Sequence, residues 1–487
     1  MKKTSIPWVP YLPVVILPLV LFANVLFTGK ALYWGTPELQ FIPWRALAWE
    51  SLKQGILPLW NPLNGMGAPL LANYQLALFY PPGWVLYGFA ALGGIPWMAW
   101  AHTLLVVLHL IWAGLGMVNL GRRLGFGPLA QAISGMSFAL CGYLVARVGF
   151  FSIIWTAAWL PWVILSASHI AIPGREPESG NRPLPGSLIA CLTLMLLAGH
   201  AQVSWYTLIL AGAWVLVGGW QRQDFRTAVT ALGRYAAAVA VAVLLAAVQL
   251  IPTGEYLLQS QRAATVDYET AMAYSFWPWR LLTLIAPDLF GNPGFGTYWG
   301  YASHWEDAIY IGLLPLILVG LTIPLAIGRA PAGSKRAQAA RLARFLWVFA
   351  ILSVLLALGK NTPIFPFLYR MVPTFDMFHA PARYLIWLEF ALCLLAGMAV
   401  ERWHTPSGKG LYWLRLATAG GAAITLGAFL AWRFLSGVSP TFISAMALTG
   451  LWALGAGLLT LFMPEEGAPR RRLWIGLVIA WVGLDLL

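Results

Sequence analysis

The chain has 487 residues, of which 60% are hydrophobic and only 10% charged. A water-soluble core of this size does not need that balance, whereas helices bathed in lipid do. The net charge of +13 comes from short basic runs between apolar stretches, which is the pattern of positive-inside topology and not of a nucleic-acid surface.

In chain order, Lys2 and Lys3 precede an apolar run from Tyr11 to Thr28. No small-x-small cleavage site follows and many further spans do, so the run reads as an uncleaved first anchor. Apolar stretches compatible with crossing follow at 97–118, 128–147, 150–172, 187–219, 228–250, 306–328, 345–359, 380–403, 411–436, 440–463 and 473–487. An N-terminus inside the cell places Arg122/Arg123, Arg175/Arg182, Arg222/Arg226, the cations from Arg329 to Arg344 and Arg470 to Arg472 all in the cytoplasm. Two conditions attach. The stretch from Gln75 to Leu92, interrupted by Tyr80-Pro81-Pro82-Gly83, must not cross, and reads as re-entrant or interfacial. The stretch from Ser187 to Gly219 must cross twice, as a broken or tilted pair tipped by Gly199-His200-Ala201-Gln202. The expectation is an all-α polytopic membrane protein, a single transmembrane domain with about 12–13 segments and two large extracytoplasmic loops, 29–96 and 251–305. Because the last apolar segment ends at Asp485-Leu486-Leu487, short of a full crossing, a C-terminal extracytoplasmic portion is expected beyond it.

Acidic residues gather on the expected outer side, and each has two readings. Glu38 follows Pro37, where a carboxylate suits the first turn of a helix through the macrodipole; a catalytic base and a cap both remain open. Glu306 closes a capping-box spacing, Ser303-His304-Trp305-Glu306, just before a span. Its neighbour Asp307 reads as structural, and lies about 100° round the helix, so the pair is not spaced to chelate one metal. The cofactor is unknown from the sequence; a divalent cation stays open but is not indicated by ligand spacing. Arg383 follows Pro381 at the outer mouth of a span, with His379 on the same face if the helix includes it. Its guanidinium suits a lipid phosphate, and snorkelling serves as well. Glu389 sits about 9 Å deeper, where it needs a partner or a proton. His200 and Gln202 should line a cavity or bond to the outer loops. Cys141, Cys191 and Cys393 lie in apolar stretches and read as packing residues, and the outer tryptophans as an interfacial belt.

The first loop carries Gln40-Phe41-Ile42-Pro43-Trp44, then Gly55-Ile56-Leu57-Pro58-Leu59-Trp60-Asn61-Pro62, Gly67-Ala68-Pro69-Leu70-Leu71-Ala72-Asn73 and Tyr80-Pro81-Pro82. Further on come Gly199-His200-Ala201-Gln202, Glu306 before Tyr310-Ile311-Gly312, and His379-Ala380-Pro381-Ala382-Arg383. Essentially the whole chain resembles the YfhO-like bacterial membrane proteins. That resemblance implies a GT-C-like helical bundle and a glycosyltransferase of the bacterial cytoplasmic membrane. Such an enzyme moves a sugar from a polyprenyl-phosphate donor to a cell-surface polymer or glycolipid acceptor at the outer face. It also implies an acidic base in the first outer loop. Here the sequence departs from the commoner Gly-Asp start, since Thr36-Pro37 follows Gly35 and the carboxylate arrives at Glu38. The site expected is Glu38 or Glu306 as base, Arg383 holding the donor phosphate, and His379, His200 and Gln202 on the substrate side. The competing class is a non-catalytic or transport protein for lipid-linked glycans, flippase-like; the scarcity of charge within the spans favours the enzyme.

Overall fold

A computed structural model describes residues 10–171, 184–220, 225–260, 266–300, 303–331 and 333–487. Lys2, Lys3, Arg175, Arg182 and Arg222 lie outside the described residues. The chain is helical almost throughout. Its helices are α1 (Leu12–Leu21), α2 (Ile42–Leu52), α3 (Trp84–Arg123), α4 (Pro128–Ala139), α5 (Phe151–Ala157), α6 (Leu160–Ala171), α7 (Gly186–Leu197) and α8 (Ala201–Trp220), then α9 (Phe225–Leu245) and α10 (Ala247–Leu258). After the second loop come α11 (Leu313–Ile327), α12 (Lys335–Ala357), α13 (Leu385–Val400), α14 (Lys409–Phe434), α15 (Pro440–Leu461) and α16 (Arg471–Leu486). Among the described residues, nine helices are long and apolar enough to cross a membrane, and α1, α7 and α11 are shorter apolar ones. Two compact units emerge, one of residues 18–120 and 147–266, the other of 1–17, 121–146 and 267–487.

In the first of these units the 29–96 loop builds a small core of its own. Ala48 on α2 packs with Leu70, Leu76, Leu78 and Tyr87, and Trp44, Trp49 and Phe79 close around them. A short hairpin completes it, β1 (Trp60–Asn61) antiparallel to β2 (Ala68–Pro69), with Trp60 opposite Pro69. The turn is set locally: Asn61 Oδ1 accepts from the Leu63 amide at 2.9 Å, and the Trp60 indole lies on Gly67, where a Cβ would fall 2.5 Å from it. The segment after Pro82 does not cross as one element. Gly93 and Gly94 are non-helical, so α3 divides into Trp84–Leu92, far too short to span a bilayer, and a long apolar limb.

The 187–219 stretch is split into α7 and α8 at Gly199, whose φ of +92° only glycine adopts cheaply. A Cβ there would fall 2.7 Å from the Tyr74 carbonyl, and the Tyr74 hydroxyl donates to the Leu196 carbonyl. Thus the loop's Asn73-Tyr74-Gln75 turn seats directly on the helix break.

In the other unit α13 is buried from Leu385 through Ala399 and apolar all round apart from Glu389, as a central helix must be. It packs against α4, α11 and α12. Ser353 of α12 satisfies its start, accepting from the Leu388 amide at 3.1 Å and donating to the Tyr384 carbonyl at 2.7 Å. At the periphery α14 and α15 form a close pair through glycines; a Cβ on Gly421 would fall 2.7 Å from the Leu454 nitrogen.

Several boundaries differ from the sequence expectation, among them that α10 runs to Leu258, inside the loop expected over 251–305. The helix expected over 345–359 begins at Lys335, because Ser334 caps it through the Ala337 amide at 3.1 Å. Ala337, Ala340 and Ala343 then bury one stripe between the cations. The stretch expected over 306–328 is not one helix. A single turn, His304–Asp307, is followed by a non-helical passage, and the regular helix starts only at Leu313.

Candidate active site

Within the unit built on α13, the turn His304–Asp307 sends its two carboxylates in different directions. Glu306 meets Arg383, with Nη2 to Oε1 at 2.7 Å, Nε to Oε1 at 3.0 Å and Nε to Oε2 at 3.3 Å. Asp307 Oδ2 lies 3.2 Å from Arg280 Nε, close enough for charge attraction but without an aligned hydrogen bond between those atoms. The Arg280 guanidinium also covers the Phe290 ring at 4.4 Å and the Tyr298 ring at 5.5 Å. All four charged side chains are buried, Arg383 the least so at 9% exposed. This geometry replaces the capping box, since the Ser303 side chain makes no cap bond and Glu306 is taken up by the guanidinium, a charge-assisted partner stronger than a neutral amide.

The Arg383 mouth is built from strained backbone. Ala380 stands at φ +60° and Tyr274 at φ +58°, conformations that cost a non-glycine residue free energy and persist only where the surroundings enforce them. The Ala382 amide reaches the Tyr274 carbonyl at 3.3 Å. Because Ala380 is left-handed and the helical turn begins at Pro381, His379 is outside the helix and the same-face relation to Arg383 does not arise. Glu389 finds a partner in the backbone: Oε1 accepts from the Tyr310 amide at 2.8 Å, while the Gly142 amide donates to the Tyr310 carbonyl at 2.8 Å. A non-helical residue deep among helices is thereby satisfied on both sides.

The remaining expected residues belong to the other unit. Glu38 lies in a π-helical turn, Pro37–Phe41, that runs straight into α2. Pro37 is buried and Glu38 exposed, and among the described residues its carboxylate makes no hydrogen bond or ion pair. His200 Nδ1 accepts from the Val203 amide at 3.2 Å, which caps α8, and Gln202 Nε2 donates to the Tyr206 hydroxyl at 2.8 Å. These contacts serve their own helix.

Sequence reasoning passed over Arg45. Its guanidinium is 1% exposed, lies over the Trp155 ring at 4.5 Å and the Phe41 ring at 5.2 Å, and donates from Nη1 to His102 Nε2 at 3.0 Å. The His102 Nδ1 contact to the Met98 carbonyl at 2.8 Å fixes the tautomer, leaving Nε2 as acceptor. Burial lowers the Arg45 pKa to about 10, so it remains a cation at neutral pH. No carboxylate pairs with it among the described residues. A basic residue in a loop counted chiefly for its acids was the available signal. Among the described residues no group of three His, Cys, Asp or Glu side chains could hold a metal ion.

Long apolar helices, loops with their own packing and buried arginine–carboxylate pairs define a polytopic, all-helical membrane protein. The chain belongs to the family described as bacterial membrane protein YfhO, whose model matches residues 11–485. No curated protein matches it. Among solved structures it is similar to the crystal structure of ArnT from Cupriavidus metallidurans bound to undecaprenyl phosphate. That likeness has 14% sequence identity and a TM-score of 0.43, over 96% of this chain and 75% of that one.

Proposed function

We propose that this protein is a membrane glycosyltransferase that moves a sugar from a polyprenyl-phosphate donor to a cell-envelope acceptor at the outer face of the membrane. The reading rests on Glu38: a solvent-facing carboxylate with no partner among the described residues, in the loop that follows the first apolar helix. The absence of a bond leaves the carboxylate available to take a proton, while its place in the first turn after Pro37 also suits the helix macrodipole. The resemblance to GT-C enzymes supplies the reaction class. In it, Glu38 takes the proton from the acceptor hydroxyl as that oxygen bonds to the anomeric carbon. The bond from that carbon to the phosphate oxygen breaks, and polyprenyl phosphate leaves as the anion. Glu306 is the second choice as base, because Arg383 already engages both of its oxygens.

The test is sugar transfer by the full chain in liposomes, using a panel of radiolabelled polyprenyl-phosphate sugars. Glu38→Gln should lower turnover by roughly 10²- to 10⁴-fold with the melting temperature unchanged. Undiminished transfer by Glu38→Gln moves the base to Glu306. Wild-type protein that moves labelled lipid between leaflets without releasing sugar overturns the enzyme in favour of transport.

A further inference from the structure

No Asp, Glu, Lys or Arg occurs from Gln54 through Gly121. Most of that stretch is accounted for by the loop core and by α3, but the first dozen residues are not. On the hairpin and its approach, Ile56 is 57% exposed, Leu57 55%, Leu59 61%, Trp60 53%, Leu63 82% and Met66 fully exposed. This face is set by a fixed backbone. The Asn61 turn, the β1–β2 pairing and the amide of Leu70 donating to Leu59 at 2.8 Å hold it open while Leu70 turns inward. In water six exposed large apolar side chains within residues 56–66 are unfavourable, and they mark a surface that is covered.

Its surroundings say by what. The root of the hairpin is tied to α10: Gln249 Nε2 donates to the Leu71 carbonyl at 3.0 Å, and the Thr253 hydroxyl donates to the Ala72 carbonyl at 3.0 Å. Those residues sit within two turns of the end of α9, one of the helices able to span a membrane. Around the same junction Leu244 is 73% exposed, Val248 50% and Ile251 68%, the outward face of an apolar helix that lipid solvates. The root of the hairpin thus stands against a helix with exposed apolar side chains, and residues 56–66 carry no charge that would set them apart from acyl chains. Trp60 among them has the amphipathic ring that favours the interface.

We propose that residues 56–66 form a membrane-contacting finger that lodges its apolar side chains in the leaflet at the C-terminal end of α9. Its partner is the lipid surface itself, at a depth of about 5–10 Å as for other interfacial elements. Having no cation, it needs no anionic headgroup. The loop is then pinned at two levels, by hydrogen bonds to α10 and by the bilayer, with α2 and Glu38 carried on the same piece of chain.

The experiment uses the full chain in phosphatidylcholine vesicles. Leu63→Cys and Met66→Cys are labelled with an environment-sensitive fluorophore, beside Lys53→Cys as a water-exposed reference on the same loop, with unsubstituted protein as the labelling blank. Blue-shifted emission at positions 63 and 66, quenched by doxyl lipids severalfold more than at position 53 and shielded from iodide, is the expected result. Iodide quenching equal to that at position 53 overturns the proposal. So does protection from both quenchers, which means that protein and not lipid covers the face.

Discussion

Glu306 and Arg383, 77 residues apart in sequence, form a buried ion pair through Nε and Nη2 of the guanidinium. Removing one partner leaves the other buried and uncompensated, at a typical cost of about 3–5 kcal/mol, whereas replacing both by apolar residues of similar volume is often close to neutral. Glu306→Leu and Arg383→Met should therefore each lower the melting temperature markedly, and the double variant should regain most of the loss. Equal losses for the single and double variants in a thermal scan would show that the two groups are not energetically coupled. Glu306 stood out in the sequence by its place before Tyr310-Ile311-Gly312; that its partner is Arg383 was not legible, because a capping-box spacing described the local chain equally well and nothing local points across 77 positions. For the same reason Glu389 was legible as a buried carboxylate needing a partner, but not as the acceptor for a backbone amide.

At the scale of the element, breaks were more legible than boundaries. The short apolar run before Gly199-His200 demanded an interruption, and Tyr80-Pro81-Pro82-Gly83 ruled out a helix through it; both features reflect local chemistry. The start of α12 was hidden because hydropathy counts Lys335, Arg336, Arg341 and Arg344 against a helix, while the buried alanines between them decide in its favour. The break at Gly199 carries its own prediction. An L-residue at φ +92° is strained by about 1–2 kcal/mol, and here its Cβ would also press on the Tyr74 carbonyl. Gly199→Ala should lower the melting temperature. Gly233→Ala in α9, where nothing lies within 4 Å of the added carbon, should leave it unchanged or slightly raised. A Gly199→Ala protein that melts with wild type would mean that the loop does not depend on this seat.

Over the whole molecule, apolar runs of about 20 residues call for helices, since in lipid every backbone amide and carbonyl must be satisfied within the protein. Nine long apolar helices and three shorter ones among the described residues match the expected architecture of about a dozen segments. The division into two compact units was not legible, because both are built from the same kind of apolar helix and each draws on chain segments distant in sequence. Orientation is a prediction of the basic residues. With the N-terminus inside, Gly333, beside the cations of α12, faces the cytoplasm. A cysteine placed there should resist a membrane-impermeant thiol reagent in intact cells and react once the membrane is opened. Labelling in intact cells would reverse the assignment of every loop.

Asp485 accepts from the Tyr310 hydroxyl at 2.5 Å and from the Leu313 amide at 2.6 Å, where α11 begins. Leu313 leaves the ribosome 172 residues before its acceptor does. At translation rates of about 5–20 residues per second, that amide waits on the order of ten to thirty seconds for the carboxylate. During synthesis the first turn of α11 thus has an unmet donor in or near the membrane, and it must be held by lipid headgroups, water or the insertion machinery until α16 arrives. The start of α11 is therefore completed only when α16 has emerged, and a ribosome stalled before residue 485 leaves that turn without its acceptor.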